Sequence, residues 1–173
     1  QLKVPLDSRN KGYAEYISNL VSDVLEIKPK IFFKKKENAV DIRVFNKEKV
    51  LYAINSLGLK ISPKWGTMEI PEPYNKGELA LLVLRGIFDT DGSVTFFNNN
   101  GKIYPRLELR ICPSPAQKQI LDILDKNNWG YRVQKLERGQ IKVRISGVEA
   151  LKRWFNDIGT SNSLYFERAT RFF

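Results

Sequence analysis

The chain has 173 residues, with 29 lysines and arginines against 19 acids, a net charge of +10 and a pI near 9.7. It holds no histidine and one cysteine, Cys112. That excludes a histidine general base, zinc sites built on imidazole or cysteine clusters, and a disulfide framework. No apolar stretch reaches the roughly 18 residues of a membrane span, and no signal-peptide pattern opens the chain. An intracellular, reducing location without a membrane partner is expected. Chemistry, if any, falls to carboxylates, lysines, hydroxyls or a metal held by oxygen. The positive charge fits a solvated lysine surface or a polyanion partner, since basic residues gain affinity by releasing counterions from phosphate backbones.

Gln1 rather than methionine opens the chain, which reads as a processed, trimmed or partial one. QLKVPLDS (1–8) reads as a strand and 11–26 as a helix. IFFKKK (31–36) and NAVDIRVF (38–45) read as strands and 47–57 as a helix. The Pro- and Gly-rich stretch SPKWGTMEIPEPYNKG (62–77) follows. A helix is expected over 76–91, then strands at 93–98 and 103–112 joined through the NNNG turn. Pro115 opens a helix behind Ser114 that runs to about Asn128. Strands at 131–136 and 140–146 are joined through ERGQ. Helix 148–158 stops at Gly159, and a last helix covers 162–171.

The chain repeats itself. DIRVFNKEKVLYAINSLG from Asp41 returns as KVRISGVEALKRWFNDIG from Lys142, an offset of 101 (142 − 41). Arg43 meets Arg144, Glu48 meets Glu149, Asn55 meets Asn156 and Gly58 meets Gly159. An internal repeat constrains the fold before any single motif does. The expected class is α+β, with two pseudo-symmetric αββαββα repeats at 1–62 and 76–173 and a linker at 63–75. Shifted back by 101, the segment from Leu84 to Gly92 falls before Gln1, so the first repeat is expected to lack its opening helix and strand.

LRGIFDTDGSVTFF (84–97) sets two aspartates at the C-terminal end of an apolar helix, where the helix dipole disfavours negative charge. Either the turn is simply acidic or the acids serve a metal. Gly86 and Thr90, four residues apart, lie on one helix face, and small residues at that spacing let two backbones approach closely.

With the strand-like tail and the repeat order, LRGIFDTDG resembles the LAGLIDADG motif of homing endonucleases. Leu84, Gly86, Asp89, Asp91 and Gly92 match it letter for letter, while Arg85 and Thr90 stand where the family has small residues. The resemblance covers nearly the whole chain. It implies that two motif helices pack side by side and that each brings one acid to a shared site. It also implies that Asp91 is the metal-binding and catalytic acid, with Mg²⁺ or another divalent cation as cofactor. Asp89 is expected to cap or pair within the fold. Gly86 and Thr90 become helix-packing positions. The family places a basic residue before the helix that follows the fourth strand. Lys47 fits in the first copy, Gly147 stands there in the second, and Lys64 of the linker is a further candidate. Where members carry a polar, water-positioning side chain at the end of the second strand, this chain has Cys112 and Pro113.

The resemblance further implies curved antiparallel sheets that form a saddle over double-stranded DNA, and the strands alternate accordingly. Leu107, Leu109 and Ile111 point inward, against outward Tyr104, Arg106, Glu108 and Arg110. Ile141, Val143 and Ile145 oppose Lys142 and Arg144, and Val40, Ile42 and Val44 oppose Arg43. Lys34, Lys35 and Lys36 crowd the neighbouring strand. Lys34, Lys36, Arg43, Tyr104, Arg106, Arg110, Arg132, Lys142 and Arg144 are the expected DNA contacts. Glu108 and Asp41 interrupt the basic pattern.

Three functions follow. The first is a metal-dependent endonuclease for a long DNA target, of the kind associated with introns or inteins. It needs a second motif helix, supplied by upstream sequence or by a homodimer through helix 76–91. The second is a nucleic-acid-binding protein of the same fold without cleavage: an RNA-splicing cofactor, a regulator or a decayed nuclease. The single motif, Gly147 and Pro113 favour it. The third is an intein-associated or structural remnant with no role on DNA.

Overall fold

The computed structural model describes all residues except Lys35, Lys36 and Lys64. The chain forms two compact units, Gln1–Ile61 and Ser62–Phe173. No helix among the described residues is long and apolar enough to cross a membrane.

The first unit runs β1 (Leu2–Asp7), α1 (Lys11–Leu25), β2 (Lys30–Lys34), β3 (Ala39–Val44) and α2 (Lys47–Asn55). Asparagines start both helices. Asn10 accepts the Tyr13 N–H at 3.1 Å and Asn46 accepts the Lys49 N–H at 3.0 Å, each satisfying a donor that the helix leaves open. The sheet is antiparallel in the order β1-β3-β2. Val40, Ile42 and Val44 of the central strand are buried, and Leu25, Val44 and Ala53 form the centre of a small apolar cluster.

The second unit runs α3 (Gly77–Asp91), β4 (Gly92–Asn99), β5 (Lys102–Ile111), α4 (Pro115–Lys126), β6 (Arg132–Lys135), β7 (Ile141–Ser146), α5 (Val148–Asp157) and α6 (Ser163–Ala169). Its sheet is antiparallel in the order β4-β5-β7-β6. Asn100 and Gly101 both take positive φ, 52° and 82°, and close the two-residue hairpin between β4 and β5. Leu84 and Phe88 of α3 pack into the core with Leu107, Leu109, Val143 and Ile145 of the sheet. The Phe88 ring centre lies 5.1 Å from that of Trp154 and 5.3 Å from that of Tyr165. Gly159, at φ 77°, ends the α5 segment with its N–H on the Trp154 carbonyl.

The two sheets carry the same order, β1-β3-β2 and β5-β7-β6, with β4 added beside β5. One correction concerns the repeat offset. It is 101 for β3 and β7, but Lys3 pairs with Arg43 whereas Glu108 pairs with Arg144, so β1 maps onto β5 at 105 (108 − 3). The chain between the paired strands is longer in the first unit. Val4 and Ile42 are 38 apart (42 − 4), and Leu109 and Val143 are 34 apart (143 − 109). Most of the difference is helix, since α1 has 15 residues and α4 has 12. Sequence identity between the copies lies in β3–α2, so it is blind to this shift.

Candidate nucleic-acid interface

The motif helix ends where the sequence expects. Gly92 follows Asp91, and its N–H bonds to the Phe88 carbonyl. A Cβ at Gly92 would sit 2.4 Å from both Phe88 Cδ2 and the Phe88 carbonyl oxygen. Only glycine fits between the buried Phe88 and the start of β4.

The two aspartates separate. Asp89 is buried, receives the Thr160 hydroxyl and accepts the Ser161 N–H at 2.7 Å. Asn162 donates to the Asp89 carbonyl at 3.2 Å, and the Tyr165 hydroxyl donates to the Gly92 carbonyl at 2.5 Å. Burial pushes the Asp89 carboxyl above its ordinary range, against the bonds from Thr160 and Ser161 and the nearby charge of Arg85. Asp89 thus ties α3 to the segment before α6, as a structural acid.

Asp91 is exposed, with the Thr90 hydroxyl 3.3 Å from its Oδ2. It borders a cleft of about 300 Å³ within the second unit. Met68, Ile87 and Ile111 make the cleft apolar, and Arg110, Cys112 and Gln140 line it beside Asp91. Gln140 was not legible as a site residue. It closes the turn before β7, and the Ile111–Ile141 pairing brings that turn to the end of β5. Among the described residues no group of three or more histidines, cysteines, aspartates or glutamates comes together to hold a metal. Asp91 is the carboxylate that the cleft offers. A single carboxylate suits Mg²⁺, which commonly takes one or two, keeps several waters and completes its shell with phosphate oxygens.

Lys47 is exposed at the first position of α2, in the first unit. Lys64 and Lys36 lie outside the described residues. Gly147, at φ 111°, precedes α5 without a side chain to offer. On α3, Gly86 and Thr90 are both exposed, and nothing lies within 4 Å of a Cβ built on Gly86. Leu79 and Leu82, on the same side of the helix, are 47% and 50% exposed.

Among the described residues, the expected outward side chains share a face in each sheet. In the second unit Phe97 pairs with Tyr104, Thr95 with Arg106, Ser93 with Glu108, and Arg132 with Arg144. Thr95, Phe97, Gln134 and Ser146 join this face by register, which the reading of single strands did not reach. Tyr104 stacks on Phe97 with ring centres 5.4 Å apart, and the Arg106 guanidinium lies 4.3 Å from the Phe97 ring. In the first unit Lys30 pairs with Arg43 and Phe32 with Asp41, and the Arg43 guanidinium lies 4.8 Å from the Phe32 ring.

The acids on these faces do not interrupt them. Glu108 lies 2.8 Å from Arg144 and 3.7 Å from both Arg106 and Lys142. Asp41 lies 2.5 Å from Arg43, 3.4 Å from Lys3 and 4.0 Å from Lys34. The Arg43 bond, with help from Lys3 and Lys34, holds the Asp41 carboxyl below its ordinary range despite burial.

No protein-family model matches the sequence, and no curated protein matches it. Solved structures do match. The meganuclease I-SmaMI bound to uncleavable DNA is similar over 96% of this chain and 76% of its own, with a TM-score of 0.64 at 10% identity. The LAGLIDADG meganuclease I-AabMI bound to uncleaved DNA is similar over 98% and 78%, with a TM-score of 0.62 at 15% identity. I-DmoI in complex with DNA and Mn is similar over 92% and 81%, with a TM-score of 0.60 at 15% identity. The architecture is α+β with two antiparallel sheets, and it is the fold of the LAGLIDADG homing endonucleases. At these identities the likeness is one of fold.

Proposed function

We propose that this chain binds a long double-stranded DNA target across its two basic sheet faces and hydrolyses its phosphodiester backbone at Asp91. The observation that carries this reading is the exposed Asp91 carboxylate, beside Arg110 and Gln140, at the end of the motif helix. Asp91 would hold the divalent cation. When bound, that ion supplies polarisation of a phosphate oxygen and an activated water. Arg110 neutralises phosphate charge at the cleft, and Gln140 offers an amide that orients a water. Arg43, Arg106, Arg132, Arg144 and Tyr104 read or grip the grooves, while Lys34 and Lys142 hold phosphates. Lys47, and Lys36 and Lys64 outside the described residues, are the remaining basic candidates for backbone contact and the site. The setting is intracellular.

Double-strand cleavage needs a second acid. A second copy of the chain, packed through Leu79, Leu82, Gly86 and Thr90 of α3, supports one route to it, and upstream sequence is another. The second reading is binding to DNA or RNA without cleavage, as in a splicing cofactor or regulator. Asp91 as the single carboxylate at the cleft among the described residues, and the bare Gly147, favour it.

The test is incubation of the full chain with a randomised double-stranded DNA library and Mg²⁺, with and without EDTA, followed by sequencing of new ends and of retained duplexes. Metal-dependent ends at one long motif support the nuclease. Selective retention without ends supports the binding protein. Absence of both new ends and selective retention supports a folded remnant with no role on DNA.

A further inference from the structure

We infer that Glu108 and Asp41 are positioning residues for sequence discrimination: each is a shared counter-ion that fixes the basic side chains of its sheet face for base contact. The inference rests on the DNA-binding reading above.

The two units build the same device from opposite placements. With β3 set on β7 at 101 and β1 on β5 at 105, Lys3 occupies the place of Glu108 and Asp41 the place of Lys142. Lys3 and Asp41 are diagonal neighbours 3.4 Å apart, and Glu108 and Lys142 are diagonal neighbours 3.7 Å apart. The acid and the lysine have exchanged strands between the copies, while Arg43 and Arg144 keep theirs. What the copies share is a charge relationship, not a residue at a position.

Each acid also holds an arginine against a ring. Arg106 lies over Phe97, donates from Nε to Ser146 Oγ at 3.3 Å and lies 3.7 Å from Glu108. Arg43 lies over Phe32 and donates to Asp41 at 2.5 Å. A guanidinium held from several sides loses little conformational freedom when it meets a base edge, so its donors arrive in a fixed fork. In the first unit stability is a weak explanation for the cluster. Arg43 Nε and Asp41 Oδ1 are buried without a hydrogen-bond partner among the described residues, and a half-satisfied polar cluster stabilises poorly. A face needed only for phosphate attraction would also gain by losing its acids.

The experiment compares the full wild-type chain, Glu108→Gln and the double variant Glu108→Lys/Lys142→Glu. Each is bound to its library-selected duplex and to a scrambled duplex over a salt series, with folding checked by circular dichroism. Glu108→Gln should bind scrambled DNA as tightly as wild type or tighter. Its ratio of selected to scrambled affinity should fall about ten-fold, within the range that one base pair contributes. The double variant, which copies the first unit's arrangement, should recover most of that ratio. An unchanged ratio in Glu108→Gln overturns the inference. So does a double variant that folds but discriminates no better than Glu108→Gln. Wild type that retains no duplex at all defeats the DNA-binding reading itself, and the inference with it.

Discussion

Asp89 and Asp91, two residues apart at the end of α3, stand in opposite environments. Asp89 is buried under Thr160 and Ser161, and Asp91 is exposed at a cleft with Arg110 and Gln140. One carboxylate builds the fold, and the other faces the cleft. Asp91→Asn should therefore leave stability within about 0.5 kcal/mol of wild type, as surface changes usually do. DNA retention should persist while metal-dependent ends disappear. Loss of folding in this variant, read by urea denaturation, would make Asp91 structural as well.

Asp89 should give the second unit a pH signature. Its folded-state affinity for a proton is raised above the unfolded value, so the native state binds more protons between the two. Its contribution is therefore most favourable below the ordinary aspartate range and declines as pH rises through the raised folded value. Asp89→Asn keeps an acceptor for the Ser161 N–H and carries no charge. Urea midpoints measured from pH 4 to 8 should fall with pH more steeply in wild type than in this variant. Parallel profiles would remove Asp89 as the source.

Gly92→Ala places a methyl group against Phe88, with the backbone carbonyl itself 2.4 Å away. Backbone cannot move aside as a flexible side chain can. We expect a loss of about 1–3 kcal/mol, typical of overpacking, measured by thermal or urea unfolding. A neutral result would mean that α3 and β4 separate easily at this joint.

Gly86 presents the converse case. Nothing lies within 4 Å of its missing Cβ, and glycine inside a helix costs about 1 kcal/mol relative to alanine. Gly86→Ala should stabilise the isolated chain by about 0.5–1 kcal/mol. If α3 packs against a second copy, the same change should weaken self-association, read by sedimentation velocity. Stabilisation with unchanged sedimentation would argue against a partner helix at this face.

The sequence by itself determined the order of elements, the turns and stops between them and the outward faces of the strands. These are local properties. Apolar period, the Asn100-Gly101 turn and the stop at Gly159 act within a few residues of chain, where propensity and steric limits suffice. Tertiary structure alone decided which residues meet across strands. Glu108 meets Arg144 and Lys142 through a register 36 and 34 residues long, and Asp89 meets Thr160 across 71. The connection between the paired strands is four residues longer in the first unit, three of them in α1, so β1 maps onto β5 at 105 and not 101 without leaving a mark in the matching segments. Two acids that look like interruptions in the strand pattern therefore become the centres of their charge clusters, because electrostatic partners are chosen by proximity in space and not by distance along the chain.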